Sequence, residues 1–340
     1  MKILYPSENI VCITQLKHLD GVYDLLKKFG HVTYVPDITK EELKSTLFET
    51  KTKYLFTNPN KQPFILDEEV LKDSNIKVIN TCSTGTNHID MEYCKENNIE
   101  VWHLAKDYEL INQLPSTAEH AFGLMLSLVR KIPMSFNSVK EGNWDYEPYI
   151  GRQLKGLTIG IIGYGRLGKM MASYCDIFGM NVIVYDPYVT KLDLYNDDYE
   201  YVYDDASEAY RSVNFNTLCK ESDVITLHVH VTKETCGMIN EKTILKMKKK
   251  PYIINTSRGE IVNEDDVIKA LINEDISGYG TDVISDEFGN FDNSKLVDAS
   301  RISDMNILIT PHVGGMTWEG QTKAYKWAIN KFKGVQNEVN

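Results

Sequence analysis

Residues 157–168 read Leu157-Thr158-Ile159-Gly160-Ile161-Ile162-Gly163-Tyr164-Gly165-Arg166-Leu167-Gly168, an apolar run followed by closely spaced glycines. The pattern predicts a buried strand that ends in a glycine-rich turn and opens a helix. In such a turn Gly163 permits the tight bend, Gly165 lets the backbone approach a pyrophosphate, and Gly168 lets the helix lie close to its strand. The helix start would offer unpaired N–H groups and a positive dipole end to phosphates.

An acidic residue completes this dinucleotide-binding pattern. The helix is predicted to run to Phe178, with Gly179 as its stop, and a second strand, Asn181–Asp186, follows. Asp186 comes about 20 residues after the glycines, where an acid can accept both hydroxyls of an adenosine ribose and repel a 2′-phosphate. The sequence therefore predicts NAD as cofactor, in preference to NADP and to a purely structural glycine turn.

The bulk properties indicate a two-domain enzyme of the cytoplasm. The chain has 340 residues, and its 48 acidic residues outnumber 37 Lys and Arg for a net charge of −11. This length exceeds the usual single domain, and the charge disfavours nucleic acid and anionic membranes as partners. Residues 1–10 carry no signal-peptide pattern, and no run of apolar residues reaches transmembrane length. The six cysteines form no CxxC pair, which favours free buried thiols in a reducing compartment.

The N-terminal part is predicted to be a parallel α/β domain of its own, since strand and helix patterns alternate there without a glycine fingerprint. The predicted strands are Lys2–Tyr5, His31–Val35, Tyr54–Thr57, Lys77–Cys82 and Glu100–Leu104, and the helices include Gly21–Phe29, Lys40–Phe48 and Glu68–Asp73. After the fourth strand, the turn containing Thr84, Gly85 and Thr86 would reach the carboxyl edge of the sheet. Its N–H groups could hold a carboxylate, and an ordinary connection between strand and helix is an equal alternative.

Residues 105–115 are predicted to be an irregular crossover, followed by a capping box at Ser116–Glu119. The helix Ala118–Arg130, ended by Pro133, is apolar on nearly every face, which predicts burial between domains or subunits. Residues 187–213 are predicted to form a polar surface excursion. His228 and His230 would share a face of the strand Asp223–Val231, but without further ligands at suitable spacing they do not predict a metal site.

Three later strands each end near a residue suited to hydride-transfer chemistry. They are the apolar strand within the block Pro251–Val262, which presents Arg258 at its carboxyl end; Ser277–Val283, followed by Glu287; and Asn306–Thr310, which leads to His312. A histidine can act as general acid and base near neutral pH, and a contacting carboxylate would favour its imidazolium form. An arginine can clamp the carboxylate of a 2-oxo acid in bidentate fashion. Singly, each has a structural alternative: a surface ion pair, a solvated acid or a turn residue.

With these motifs in order, the sequence resembles the D-isomer-specific 2-hydroxyacid dehydrogenases. The resemblance rests on Gly163–Gly168 with Asp186, Asn255–Gly259, Thr281–Val283 with Glu287, Thr310–Gly315 and the helix start Ser116–His120. It implies two Rossmann-like or flavodoxin-like parallel-sheet domains with a cleft between them. The substrate domain would comprise residues 1–103 and 316–340, and the NAD-binding domain residues 104–315. It also implies a homodimer formed through the 116–130 helix region.

The same resemblance implies roles for individual residues. Arg258, Glu287 and His312 would be catalytic. NAD would be bound by Gly163, Gly165, Arg166, Leu167, Gly168, Asp186, Thr256, Ser257, Arg258, Asp282, His312 and Gly315. The substrate would be bound by Thr84, Gly85, Thr86, Arg258 and His312.

Departures from the family pattern leave the substrate open. Residues Asn58–Lys61 lack the arginine expected there in phosphoglycerate dehydrogenases, and His230 replaces a usual proline. The long crossover Lys106–Leu114 suggests a larger hydroxy acid such as a sugar acid. Two alternatives for function remain: a non-catalytic NAD-sensing protein akin to the dehydrogenase-related corepressors, and a formate or phosphite dehydrogenase of the same fold.

Overall fold

The computed structural model describes residues 9–59, 64–189, 210–287, 294–302 and 305–334. The described chain divides into two compact units, one formed by the residues up to Leu114 with those from Gly315 onward, the other by Pro115–Gly314. The chain thus passes between units at Leu114 and Gly315, whereas the sequence analysis placed its domain breaks after residues 103 and 315. Across the described residues, no helix has both the length and the apolar character that crossing a bilayer would require.

The first unit contains a five-stranded parallel sheet in the order β2-β1-β3-β4-β5. Its strands are β1 (Asn9–Cys12), β2 (His31–Tyr34), β3 (Tyr54–Thr57), β4 (Val78–Thr81) and β5 (Glu100–Trp102). Its helices are α1 (Val22–Lys27), α2 (Lys40–Thr50), α3 (Glu68–Leu71), α4 (Met91–Glu96), α5 (Tyr108–Ile111) and, from the end of the chain, α13 (Trp318–Asn330).

Alternate side chains of these strands enter two separate cores. Ile10 and Cys12 pack in one cluster, which includes Ala328 and Ile329 of α13, and Val11 and Ile13 pack in the other. Since successive strand residues point to opposite faces, both faces of the sheet are covered, as a parallel sheet requires. The C-terminal helix therefore belongs to the core of this unit.

The second unit contains a seven-stranded parallel sheet in the order β12-β11-β10-β9-β6-β7-β8. Its strands are β6 (Thr158–Ile162), β7 (Asn181–Tyr185), β8 (Tyr210–Ser212), β9 (Val224–Leu227), β10 (Tyr252–Asn255), β11 (Gly278–Thr281) and β12 (Ile307–Ile309). Its helices are α6 (Ser116–Val129), α7 (Ile132–Lys140), α8 (Arg166–Ile177), α9 (Phe215–Glu221), α10 (Glu241–Ile244), α11 (Glu264–Ile272) and α12 (Lys295–Ser300). This is the doubly wound arrangement, in which ligands bind where the strand order reverses, here between β6 and β9.

The prediction of parallel α/β domains is confirmed, but several local predictions were wrong. The first described strand is Asn9–Cys12, which the sequence analysis missed; the predicted strand Lys2–Tyr5 lies outside the described residues. Residues 105–115 contain the short helix α5, whose Leu110 and Ile111 are buried in the first unit. Most of the predicted 187–213 excursion also lies outside the described residues.

The start and end of α6 also differ from the prediction. Its N-cap is Pro115 without a side-chain hydrogen bond, so the predicted capping box does not form. Pro133 does not end α6 but lies in the first turn of α7, where its missing N–H costs no helical hydrogen bond. The apolar character of α6 is explained within its own unit, since Leu124, Met125 and Leu128 share a core cluster with Ile254 of β10.

Candidate active site

The glycine turn after β6 has the geometry that the sequence predicts. Gly163 has a φ of +92°, and a Cβ there would lie 2.4 Å from the carbonyl oxygen of His228. A Cβ on Gly168 would lie 2.1 Å from the carbonyl oxygen of Gly163, so only glycine lets α8 approach the turn. Gly165 differs, because a Cβ there would meet nothing within 4 Å. Gly163 and Gly168 are therefore required by the fold itself, whereas Gly165 keeps space open at the start of α8.

The acid after β7 is anchored in place. Asp186 Oδ2 accepts a hydrogen bond from the Tyr164 N–H at 2.8 Å, and Oδ1 accepts one from the Tyr188 N–H at 2.9 Å. The first of these bonds joins the carboxylate directly to the glycine turn, and the second holds it to its own loop. Each carboxylate oxygen can accept more than one hydrogen bond, so the group keeps the capacity to receive ribose hydroxyls.

The positive charge of Arg166 at the start of α8 favours an anion. Arg166 is the first residue of α8 with Leu167 beside it, and burial lowers the pKa of the Arg166 guanidinium to about 10, so it stays charged at neutral pH. Burial, with the Arg166 charge as the lesser cause, lowers the pKa of His228 to about 4. His228 is therefore neutral, and its Nε2 lies 2.9 Å from Thr226 Oγ1. The strand β9 ends at Leu227, so His228 and His230 follow the strand rather than sharing its face.

The turn after β10 is braced by Asn255. Its Nδ2 donates to the Arg258 carbonyl oxygen at 2.8 Å, and its Oδ1 accepts from the Ser257 N–H at 3.0 Å. Ser257 Oγ donates to the Leu227 carbonyl oxygen at 2.7 Å, which ties the turn to the end of β9. Thr256 Oγ1 is buried and has no hydrogen-bond partner among the described residues. A buried hydroxyl without a partner is the feature expected of a residue that bonds a cofactor.

The predicted pair of Glu287 and His312 is present. Glu287 Oε2 lies 2.9 Å from His312 Nδ1, and both side chains are largely buried, with 16% and 28% exposed. Glu287 Oε1 is also buried and has no partner in the described structure. Because a carboxylate accepts hydrogen bonds, Nδ1 carries the proton, and Nε2 is the ring nitrogen that can exchange one with a ligand.

The loop that carries His312 is held by Asp282. This carboxylate is 2% exposed and accepts hydrogen bonds from the N–H groups of Val313 at 2.8 Å and Gly314 at 2.7 Å. The Asp282 carbonyl oxygen accepts from the His312 N–H at 2.9 Å. His312 has a φ of +53°, a left-handed conformation that is rare for a residue with a side chain. The contacts with Asp282 stabilise that conformation.

Asp282 also ends a chain of polar side chains that begins on α6. His120 Nε2 lies 2.8 Å from Thr310 Oγ1, which donates to Asp282 Oδ1 at 2.6 Å. Burial favours a higher pKa for Asp282, but the hydrogen bonds that it accepts outweigh burial and hold its pKa below the ordinary value. Sequence reasoning missed this role of His120, because no local pattern tells which strand end a helical histidine will face.

The three predicted catalytic residues follow adjacent strands. The register aligns Asn255 of β10 with Thr281 of β11, and Thr281 with Ile309 of β12, so Arg258, Glu287 and His312 all follow one edge of the sheet. Thr84, Gly85 and Thr86 lie in the first unit, in the turn after β4, where Ser83 Oγ donates to the Gly85 carbonyl oxygen at 2.6 Å. Gly315 also belongs to the first unit. No group of three His, Cys, Asp or Glu side chains suited to a metal occurs in the part of the chain that the structure describes.

Comparison with known proteins identifies the family. The family model of the D-isomer specific 2-hydroxyacid dehydrogenase, NAD binding domain, matches residues 122–314. The chain belongs to this family. A hydroxypyruvate reductase of Thermotoga maritima is 34% identical over 249 residues, which cover 73% of this chain and 74% of that protein. The D-lactate dehydrogenase of Aquifex aeolicus, solved with NAD and lactic acid, has a TM-score of 0.75 and 30% identity, with coverage of 98% and 95%.

The relatives also set a limit on what the family implies. A D-3-phosphoglycerate dehydrogenase of Archaeoglobus fulgidus is 35% identical over 283 residues, which cover 81% of this chain but 49% of that protein. The chain thus spans about half the length of the phosphoglycerate dehydrogenases that it matches. The second unit, which contains the glycine turn, is the NAD-binding domain of the family.

Proposed function

We propose that this chain is an NAD-dependent oxidoreductase that interconverts a 2-oxo acid and the corresponding D-2-hydroxy acid. The observation that carries the proposal is the 2.9 Å contact between Glu287 Oε2 and His312 Nδ1, at the sheet edge that the glycine turn and Arg258 also occupy. A histidine so oriented can deliver a proton to a carbonyl oxygen. The arginine supplies the positive charge that a substrate carboxylate needs.

The proposed reduction assigns one task to each side chain. When bound, NADH would supply the hydride for the carbonyl carbon of the 2-oxo acid. Arg258 binds the substrate carboxylate and polarises the neighbouring carbonyl group. His312 Nε2 donates a proton to the carbonyl oxygen as that oxygen becomes a hydroxyl, and Glu287 stabilises the imidazolium before the transfer. In the oxidative direction His312 takes the proton from the hydroxyl group.

The cofactor would be bound by residues that follow the strands at the same edge. Arg166, Leu167 and the glycine turn would contact the pyrophosphate, and Asp186 would accept the ribose hydroxyls. The unpartnered hydroxyl of Thr256 supports its predicted contact with the cofactor, together with Ser257. The predicted cofactor contacts of Asp282, His312 and Gly315 and the substrate contacts of Thr84, Gly85 and Thr86 stay predictions.

A substrate screen with a matched variant tests the proposal. NADH absorbance is followed with pyruvate, glyoxylate, hydroxypyruvate, phosphohydroxypyruvate and an oxidised aldonic acid, in wild type and in His312→Asn. We expect turnover with at least one 2-oxo acid and a loss of about 10²- to 10⁴-fold in the variant, with unchanged NADH binding in titration calorimetry. Binding without turnover would favour the NAD-sensing alternative. Oxidation of formate or phosphite alone, with NAD as the acceptor, would favour the alternative of a formate or phosphite dehydrogenase.

We further propose that two copies of the chain associate, through a surface that extends beyond the predicted 116–130 helix. Large apolar side chains are exposed from α7 to the end of the following loop, and they are Ile132, Phe136, Val139, Trp144, Tyr146 and Ile150. Such a patch is typical of an interaction surface. Sedimentation of the wild type as a dimer and of Phe136→Asp as a monomer would support this. A monomeric wild type would contradict it. The cytoplasmic location stays a prediction.

A further inference from the structure

The loop that leads to Glu287 lies in direct backbone contact with the turn that carries Arg258. A Cβ on Gly259 would lie 2.0 Å from the carbonyl carbon of Ile284 and 2.2 Å from the nitrogen of Ser285. Any side chain at Gly259 would therefore push the two segments apart. Arg258 and Glu287 thus lie on two backbone segments that are in close contact at Gly259.

Glu264 adds a polar contact to this packing. It is the first residue of α11, which Asn263 caps through the Asp266 N–H. Its Oε1 accepts a hydrogen bond from the Ser285 N–H at 2.8 Å. Burial raises the pKa of Glu264, and the hydrogen bonds from Ser285 act in the opposite direction without cancelling the rise. Ser285 itself is exposed, so the hydrogen bond to Glu264 lies at the surface of this unit.

The orientation of the Glu287 side chain depends on the position of its backbone, because only one oxygen of its carboxylate has a hydrogen-bond partner in the described residues. Oε2 contacts His312 Nδ1, while Oε1 is buried without a partner in the described residues. No second hydrogen bond in that region orients the carboxylate. Its direction must then follow from the position of the backbone around residues 285–287, the segment whose first N–H Glu264 binds.

We infer that Glu264 is a positioning residue for the reaction: by accepting the Ser285 N–H, it keeps Glu287 in register with His312. The inference rests on the proposed function. The charged and titratable groups that face Glu264 are Asp265 on its own helix, Asp286 on the loop and Tyr279 on β11. The two aspartates repel the negative charge of Glu264 and cannot form a salt bridge with it. The hydrogen bond from Ser285 is therefore the contact that holds the Glu264 carboxylate.

The test compares three variants. Glu264→Ala removes the acceptor, Glu264→Gln keeps an acceptor oxygen of the same reach, and Glu260→Ala is the control, an exposed glutamate of the same connection. We expect Glu264→Ala to lower kcat by on the order of ten- to a hundredfold, as a displaced catalytic group does, with unchanged NADH affinity. Glu264→Gln should recover most of the rate, and Glu260→Ala should match wild type.

Amide hydrogen exchange at Ser285 gives a readout that does not depend on activity. Glu264→Ala should exchange this amide at least tenfold faster than wild type and Glu264→Gln. Equal exchange in all variants would overturn the inference, as would equal losses of kcat in Glu264→Ala and Glu264→Gln. If Glu264→Ala does not fold, Glu264→Asp, whose carboxylate is one methylene too short, takes its place with the same expectations. A wild type without turnover would refute the proposed function, and exchange at Ser285 would still decide whether Glu264 holds the Ser285 amide.

Discussion

Replacing Asp282 by Asn should lower the free energy of unfolding of the second unit more than a substitution at an exposed position does. The carboxylate is 2% exposed, and its oxygens receive the N–H groups of Val313 and Gly314 and the Thr310 hydroxyl, at 2.6–2.8 Å. An asparagine offers one acceptor oxygen, and its NH₂ group must face one of these donors. If the oxygen stays with Thr310 and Val313, the Gly314 N–H is left buried without an acceptor.

The magnitude follows from these contacts. A hydrogen bond to a charged group contributes about 1.5–3 kcal/mol, and a buried donor left unpaired costs about 1–3 kcal/mol. One bond is lost outright and the others become neutral, so we expect the free energy of unfolding of this unit to fall by about 3 kcal/mol. The left-handed conformation of His312 should loosen as well, because the Gly314 N–H loses its acceptor, while the His312 N–H keeps the backbone carbonyl oxygen of residue 282.

The difference between wild type and variant should depend on pH in one direction. Hydrogen bonds hold the pKa of folded Asp282 below the ordinary value of 3.8, despite burial. The unfolded chain therefore binds the proton more readily, and the stabilisation is fully present above that ordinary value. It is lost as the pH falls through the folded pKa. The difference should accordingly be complete at neutral pH and should close in acid below about 4.

Hydrogen exchange is the appropriate assay, since a chain of two compact units need not unfold in one step. Amides of β11 and β12 report the opening of the second unit, and the Gly314 amide reports the loop. Asp298→Asn serves as control, because Asp298 is a 61% exposed aspartate of the same unit. The reasoning is refuted if Asp282→Asn protects the β11 amides as well as Asp298→Asn does, or if its effect is the same at low and neutral pH.

Two further predictions concern the cofactor half of the site. Gly163→Ala should destabilise the second unit by roughly 1–3 kcal/mol, because residue 163 has a φ of +92° and its Cβ would meet the His228 carbonyl oxygen. Gly165→Ala should leave the free energy of unfolding unchanged and weaken only the binding of NADH. Equal unfolding of the two variants by urea would contradict this prediction. Asp186→Ser should raise the ratio of kcat/KM for NADPH over NADH, because the carboxylate repels a 2′-phosphate, and an unchanged ratio in a steady-state assay would argue against a ribose contact.

Most strands, and the residues that follow them at the candidate site, could be predicted from the sequence because their signals are local. Tyr54–Thr57 was predicted at its observed bounds, and each of Arg258, Glu287 and His312 was found by its position after a predicted strand. Local signals failed where tertiary contacts decide the structure. Ser116 has the sequence of an N-cap, yet it is buried as the first residue of α6 and Pro115 takes the cap position.

Contacts between residues that lie far apart in the sequence could not be predicted. Glu264 and Ser285 are brought together because α11 and the loop after β11 pack at one edge, and no pattern within either segment encodes that contact. His120 reaches Asp282 from a helix that reads as uniformly apolar. In both cases the residue type alone suggested a solvated or helical surface role, and only the fold assigns it a partner.

Asp282 and Glu287 are two carboxylates on one loop, and their surroundings give them different tasks. Asp282 receives backbone and side-chain donors on both oxygens and keeps its negative charge, so it serves as a fixed anchor for the 312–314 turn. Glu287 binds one imidazole and leaves its other oxygen unpartnered among the described residues, so its contact with His312 can respond when the ring gains or loses a proton. A carboxylate saturated with N–H and O–H donors could not respond in this way, because moving it would break several buried hydrogen bonds at once. The separation of anchor and proton partner is what lets His312 change charge during turnover while its backbone stays in place.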